Sequence, residues 1–148
     1  DVCSSDLLER LERALVEAQR VPQRTAQAVA PQISKLVAQQ YARGMDPYRQ
    51  PWRPISPTTK RLRKGDKNAP PLTDLGKLRA GSFAMWKTGT NRIGLWWGRW
   101  QGWVHQRGDA KTPKREIYPE GTLPAKWQEI IATAWRREAD RVLREAFK

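Results

Sequence analysis

Side chains that give or take protons, attack a substrate or hold a metal are sparse in this sequence. His105 is the only histidine and Cys3 the only cysteine, so an internal disulfide is excluded. Metal centres of the ordinary kinds need several His or Cys ligands, and these are missing. Asp66, Asp74, Asp109, Glu116 and Glu120 fall in loops or at element ends, where a nuclease built on carboxylates alone would carry its acids. No two of them come close together outside the faces of helices. His105, followed by Gln106 and Gly108, reads as a hydrogen-bonded structural turn rather than a general base. The expectation is a protein that is not an enzyme, with no catalytic residue, no metal and no cofactor.

Positive charge and tryptophan are what the sequence has in excess. Lys and Arg number 28 against 15 Asp and Glu, a formal net charge of +13. Such a field favours acidic protein surfaces or nucleic acid. The candidate polyanion contacts are Arg53, Lys60, Arg61, Arg63, Lys64 and Lys67, gathered in a proline-punctuated stretch. There are eight tryptophans. Trp127 and Trp135 sit on the apolar stripe of a helical pattern, and Trp86 and Trp97 can face a sheet core. Trp96, Trp100 and Trp103 are surplus to such a core and are the candidate interface residues. Interleaved with cations, the same aromatics would also suit stacking on nucleic-acid bases.

One domain of 148 residues must position these groups. Residues 1–44 read as two helices. Asp6 with Glu9 fits a capping box for the first, running to about Arg20 where Pro22 ends or redirects it. The second spans roughly 23–43, with Ala26, Val29, Ile33, Leu36, Val37 and Tyr41 on one face, a kink at Pro31 and Gly44 at its end. Residues 45–71 form the basic proline-rich arm, with a short helix opening at Ser56-Pro57. Its bland reading is a solvated loop; its functional one is a docking arm for an acidic partner or a phosphate backbone.

Residues 72–119 form the centre. Thr73 and Asp74 are cap residues before Leu75, Leu78 and Ser82, with Gly76 inside that short helix. A helical glycine costs roughly 1 kcal/mol relative to alanine, so either tertiary contacts hold the helix or Gly76 admits a close backbone neighbour. Period-two alternation over Phe83–Lys87 and Arg92–Trp97, separated by Thr88-Gly89-Thr90-Asn91, predicts a β-hairpin. The glycines between Trp97 and Trp103 argue for irregular structure there. Asp109–Thr122 is a polar loop in which Lys114–Tyr118 makes an edge strand stopped by Pro119. Residues 123–148 form a long amphipathic helix that covers the sheet. The expected class is α+β: amino-terminal helices, a small antiparallel sheet with a hairpin, and a carboxy-terminal helix packed on it. No run approaches the roughly 18 apolar residues of a membrane span, so a soluble chain working in a cytoplasm is expected.

Four of these stretches, taken in order, resemble the phage virion-morphogenesis family, the tail-completion proteins of tailed phages. They are Trp52-Arg53-Pro54-Ile55-Ser56-Pro57-Thr58-Thr59, Pro71-Leu72-Thr73-Asp74-Leu75-Gly76-Lys77-Leu78-Arg79, Val104-His105-Gln106-Arg107-Gly108 and Thr112–Pro119. The resemblance covers residues 45–147 and rests on Trp52, Pro54, Ser56, Thr59, Leu72, Gly76, Leu78, Arg79, His105, Gln106 and Gly108. The family's Tyr-Ala before the His-Gln element is replaced here by the tryptophan-rich Trp96–Trp103 segment. The resemblance implies an α+β subunit of a neck or tail-end ring without catalysis. It implies partners in further copies of itself, hexameric by analogy with tail symmetry, and in other tail or head-connector proteins. Non-specific DNA contact is compatible with it, and membrane contact is not part of it. The implied location is the virion, assembled in the host bacterial cytoplasm.

Overall fold

The structure, a computed structural model, describes residues 2–73, 76–97 and 99–148. Asp74 and Leu75, expected to cap and line a helix, and Gly98 lie outside the described residues, as does the side chain of Cys3.

Helix α1 spans Val2–Ala18. Asp6 is therefore inside it rather than at its cap, and its carboxylate meets Arg10 one turn on at 2.9 Å. An i,i+4 ion pair of this kind adds a few tenths of a kcal/mol to a helix. Helix α2 (Val21–Arg43) begins with Pro22 in its first turn, where an amide hydrogen has no helical partner in any case. Pro22 thus opens the second helix. The helix runs uninterrupted through Pro31 and stops at Gly44, whose φ of 65° lets its N–H reach the Gln40 and Tyr41 carbonyls.

The spine of the fold is α2. Its buried face carries Ala26, Val29, Ile33, Val37 and Tyr41. Strand β1 (Phe83–Trp86) packs across it and pairs antiparallel with β2 (Ile93–Trp96), with Phe83 opposite Trp96 and Trp86 opposite Ile93. Ser34 ties helix to strand directly, donating to the Ala84 carbonyl at 2.7 Å and accepting the Ala84 N–H at 2.9 Å. Helix α6 (Ala125–Ala146) lies along α2 and brings Trp127 and Ala134 into the same core as Ala84 of the sheet. The class is α+β, with the long carboxy-terminal helix packed on the sheet's core.

Several local expectations change. Trp135 is 46% exposed: α6 buries only the narrow stripe of Trp127, Ala134 and Val142, and Trp135 sits one step round from Ala134. The segment after Trp97 is not irregular; Trp100–Arg107 is a helix, α5. Its Gly102 lies so close to Trp97 that a Cβ there would be 2.6 to 2.9 Å from that side chain, which is why a glycine sits mid-helix. Lys114–Tyr118 is no strand. The Gln106 side chain takes the place of a pairing strand, accepting the Ile117 and Tyr118 N–H groups and donating to the Tyr118 carbonyl, all within 2.9 Å.

Among the described residues Gly76 admits no close neighbour either. A Cβ would meet open space, and the position needs glycine because its φ is 67° at the N-cap of a one-turn helix, α4 (Lys77–Ala80). The arm is tied down on its own subunit. Trp52 is in the core, edge-on to Tyr41 at 5.3 Å, and donates to the Glu116 carbonyl at 2.9 Å. Tyr48 Oη donates to the Thr122 carbonyl at 2.9 Å. Within the arm, Ser56 caps α3 (Pro57–Leu62) by accepting the Thr59 N–H. Among the described residues no helix is long and apolar enough to cross a membrane.

Candidate functional site

Two surface features stand out once the core is accounted for. The first is aromatic. Trp96, Trp100 and Trp103 are 51%, 72% and 49% exposed. Trp100 and Trp103 are three apart on α5 and so share a face, while Trp96 ends β2 just before it. The Arg107 guanidinium sits 4.7 Å over the Trp103 ring, a cation–π contact. All three expected interface residues are thus outside the core, whereas Trp97 is half-buried against Tyr118.

The second is a cleft of about 900 Å³ between the 53–59 segment, α4, the start of α5 and the 109–115 loop. Among the described residues six permanent cations line it, Arg53, Arg63, Lys77, Arg99, Lys111 and Arg115, against Asp109 as the one carboxylate. Arg115 is 5% exposed. Its Nε and Nη2 donate to the carbonyls of Arg53 at 2.9 Å and Pro54 at 3.2 Å, and its Nη1 lies 3.5 Å from His105 Nδ1. Burial first, then Arg53 and Arg63, press its pKa down from the ordinary guanidinium value; the group stays charged, as arginine does in proteins.

His105 borders the same cleft. Burial first, then Arg115, lowers its pKa, with Asp109 opposing, so the imidazole is neutral near pH 7. Its carbonyl accepts the Arg115 N–H at 2.7 Å. Gly108 closes the turn: its φ is 72°, and a Cβ would lie 2.8 Å from the Lys114 nitrogen. His105 thus holds Arg115 at the cleft through its carbonyl and ring, Gly108 lets the following loop close against Lys114, and Gln106 binds residues 117–118 instead.

The expected polyanion contacts divide. Lys60, Arg61, Lys64 and Lys67 are exposed on the arm and Arg53 at the cleft rim. Arg63 is buried, donating to the carbonyls of Asp66, Ala69 and Pro70. The other motif residues serve the frame: Leu78 is buried, Leu72 packs at the core margin with φ of 66°, and Arg79 is exposed. Lys77, Arg99, Lys111 and Arg115 were not singled out by sequence. No spacing marks them, because three separate segments bring them together.

The carboxylates are spent on turns. Asp66 accepts the Asn68 N–H at 2.8 Å, and Asp109 accepts those of Lys111 and Thr112 at 2.8 and 2.6 Å. Those two bonds, Thr112 first, hold the Asp109 pKa below its ordinary value. Glu116 accepts the Glu120 N–H at 2.8 Å, and Glu120 meets Lys114 at 2.7 Å and Gln106 at 3.0 Å. Among the described residues no three His, Cys, Asp or Glu side chains are grouped as metal ligands. Comparison with models of known families, with curated proteins and with solved structures finds no match to this chain.

Proposed function

We propose that this chain is a non-enzymatic structural subunit of a tailed phage or prophage, acting in virion morphogenesis as a tail-completion or head-to-tail joining component of the neck. The ordered motifs over residues 45–147 support this reading. The observation that carries it is the exposure of Trp96, Trp100 and Trp103, the last two on one face of α5. Large aromatics left on a surface cost solubility unless a partner covers them, and tryptophan is the residue type most enriched where interfaces bind tightly. A ring of identical subunits joined through this face, with other tail or connector proteins above or below, is the assembly the reading calls for.

The test is the solution mass of nuclease-treated protein by light scattering at low and high salt. A discrete oligomer that persists at high salt is expected, because aromatic burial is little screened. A monomer at both salts removes the self-assembled ring. Replacing Trp100 and Trp103 together by alanine is expected to leave the circular dichroism and melting temperature of the subunit nearly unchanged while abolishing the oligomer. If the variant unfolds instead, the tryptophans belong to the core and the assignment falls.

A second reading, basic nucleic-acid binding, is favoured by one observation: Lys60, Arg61, Lys64 and Lys67 of the arm are exposed and pair with no carboxylate among the described residues. Phosphate-driven binding weakens steeply with ionic strength, which separates it from the aromatic interface.

A further inference from the structure

We propose that the cleft beside Arg115 is a docking site for an acidic peptide segment of a partner protein, one in which carboxylate and apolar side chains alternate. The charge is the first argument. None of the six cations pairs with a carboxylate among the described residues, and Asp109 already accepts two backbone N–H groups of its own turn. Arg115 is buried, hydrogen-bonded to carbonyls and beside a neutral imidazole, with Arg53 and Arg63 as further cations nearby and no carboxylate paired with it among the described residues. A buried cation without a counter-ion is costly, and an arriving carboxylate supplies the missing charge.

The walls select the kind of polyanion. Ile55, Leu72, Leu78, Pro54 and Pro113 line the cleft between the cations, giving apolar side chains a place to sit. No Trp, Tyr or Phe is among the described lining residues, whereas sites for single-stranded nucleic acid stack bases on such rings. The basic arm of a neighbouring copy, with Lys60, Arg61, Lys64 and Lys67 exposed, would bring like charge to this cleft and is disfavoured as its occupant. Arg-lined recognition of acidic motifs is an established mode. The charge of the cleft does not depend on where the tryptophan face docks, so the two assignments stand or fall separately.

The experiment is fluorescence anisotropy with a short fluorescein-labelled peptide of alternating Glu and Leu, titrated with the full chain. Arg99 and Lys111 are both exposed, so Arg99→Glu with Lys111→Glu is expected to fold. Its affinity should fall about tenfold or more, the scale of losing charge pairs at an interface. Arg136→Glu with Arg144→Glu, the same change in net charge on the solvent face of α6, should stay within about twofold. Arg99→Gln, which removes a charge without reversing it, should weaken binding in the same direction. The sole histidine reports location: the His105 imidazole proton resonance should move on adding peptide, and its pKa should rise. No binding by the wild-type chain, an unmoved His105 resonance, or equal losses in the two double variants would each overturn the proposal. So would an oligothymidylate of matched charge that displaces the peptide at equal concentration.

Discussion

At the residue scale, the centre of this protein is organised by side chains that stand in for backbone. Gln106 is the clearest case. Its amide takes two N–H groups and one carbonyl from residues 117–118, and each such group left buried and unpaired costs about 1–3 kcal/mol. Gln106→Leu is therefore expected to lose on the order of 3 kcal/mol in urea melts. The two glycines misjudged from sequence make a matched pair. Gly102→Ala gains about 1 kcal/mol of helix propensity but drives a methyl into Trp97, with an overpacking penalty of about 1–3 kcal/mol, so net destabilisation is expected. Gly76→Ala meets no atom and loses about 1–2 kcal/mol through its positive φ alone. A Trp97→Ala background should rescue the first and not the second. His105 supplies a pH signature. Its native pKa lies below the ordinary 6.5. Well above 6.5 the folded and unfolded chains bind equal protons there. As pH falls through 6.5 the unfolded chain takes up the proton first, and stability declines until the native pKa is passed. His105→Gln should flatten that part of the stability–pH curve, measured by urea melts above the carboxylate range. The sequence pointed to a hydrogen-bonded structural role for His105 and Gln106 but not to their partners or to the last turn of α5 as their place, because residue type does not say which backbone a side chain will face.

At the element scale, what periodicity encodes was legible and what close approach encodes was not. The α2 face, its Gly44 cap, the hairpin and the long α6 all follow from spacing that repeats over many residues. So does α3, where Ser56 and Pro57 meet the requirements of a helix start. Ser56→Ala is expected to cost about 1 kcal/mol locally, seen as faster amide exchange at Thr59. Helix α5 was hidden because its glycine, ordinarily a breaker, is demanded by a ring from the preceding strand's end. The 114–118 segment looks like a strand because it is extended and apolar at Ile117 and Tyr118. It pairs with a side chain and so never becomes one. Asp6 shows the reverse error, a cap signature lying within a helix that starts earlier.

At the scale of the whole molecule, charge and aromatic surface fall on different features: the cations gather in a cleft and along the arm, and the surplus tryptophans on β2 and α5. Composition gave the totals without that separation, since the cleft is assembled from segments far apart in sequence. Its predicted consequence is that salt should weaken binding of the acidic peptide while leaving aromatic self-association intact. The ties that hold the segments share one form, a side-chain donor reaching a distant main-chain carbonyl: Tyr48 to Thr122, Trp52 to Glu116, Arg115 to Arg53. A carbonyl is the same whatever residue carries it. Tolerance to substitution should therefore be lopsided across each tie. A saturation library selected for folding should accept most residues at Thr122, Glu116 and Arg53, and few at Tyr48, Trp52 and Arg115. Such a fold can drift far in sequence while holding its shape through a handful of donors.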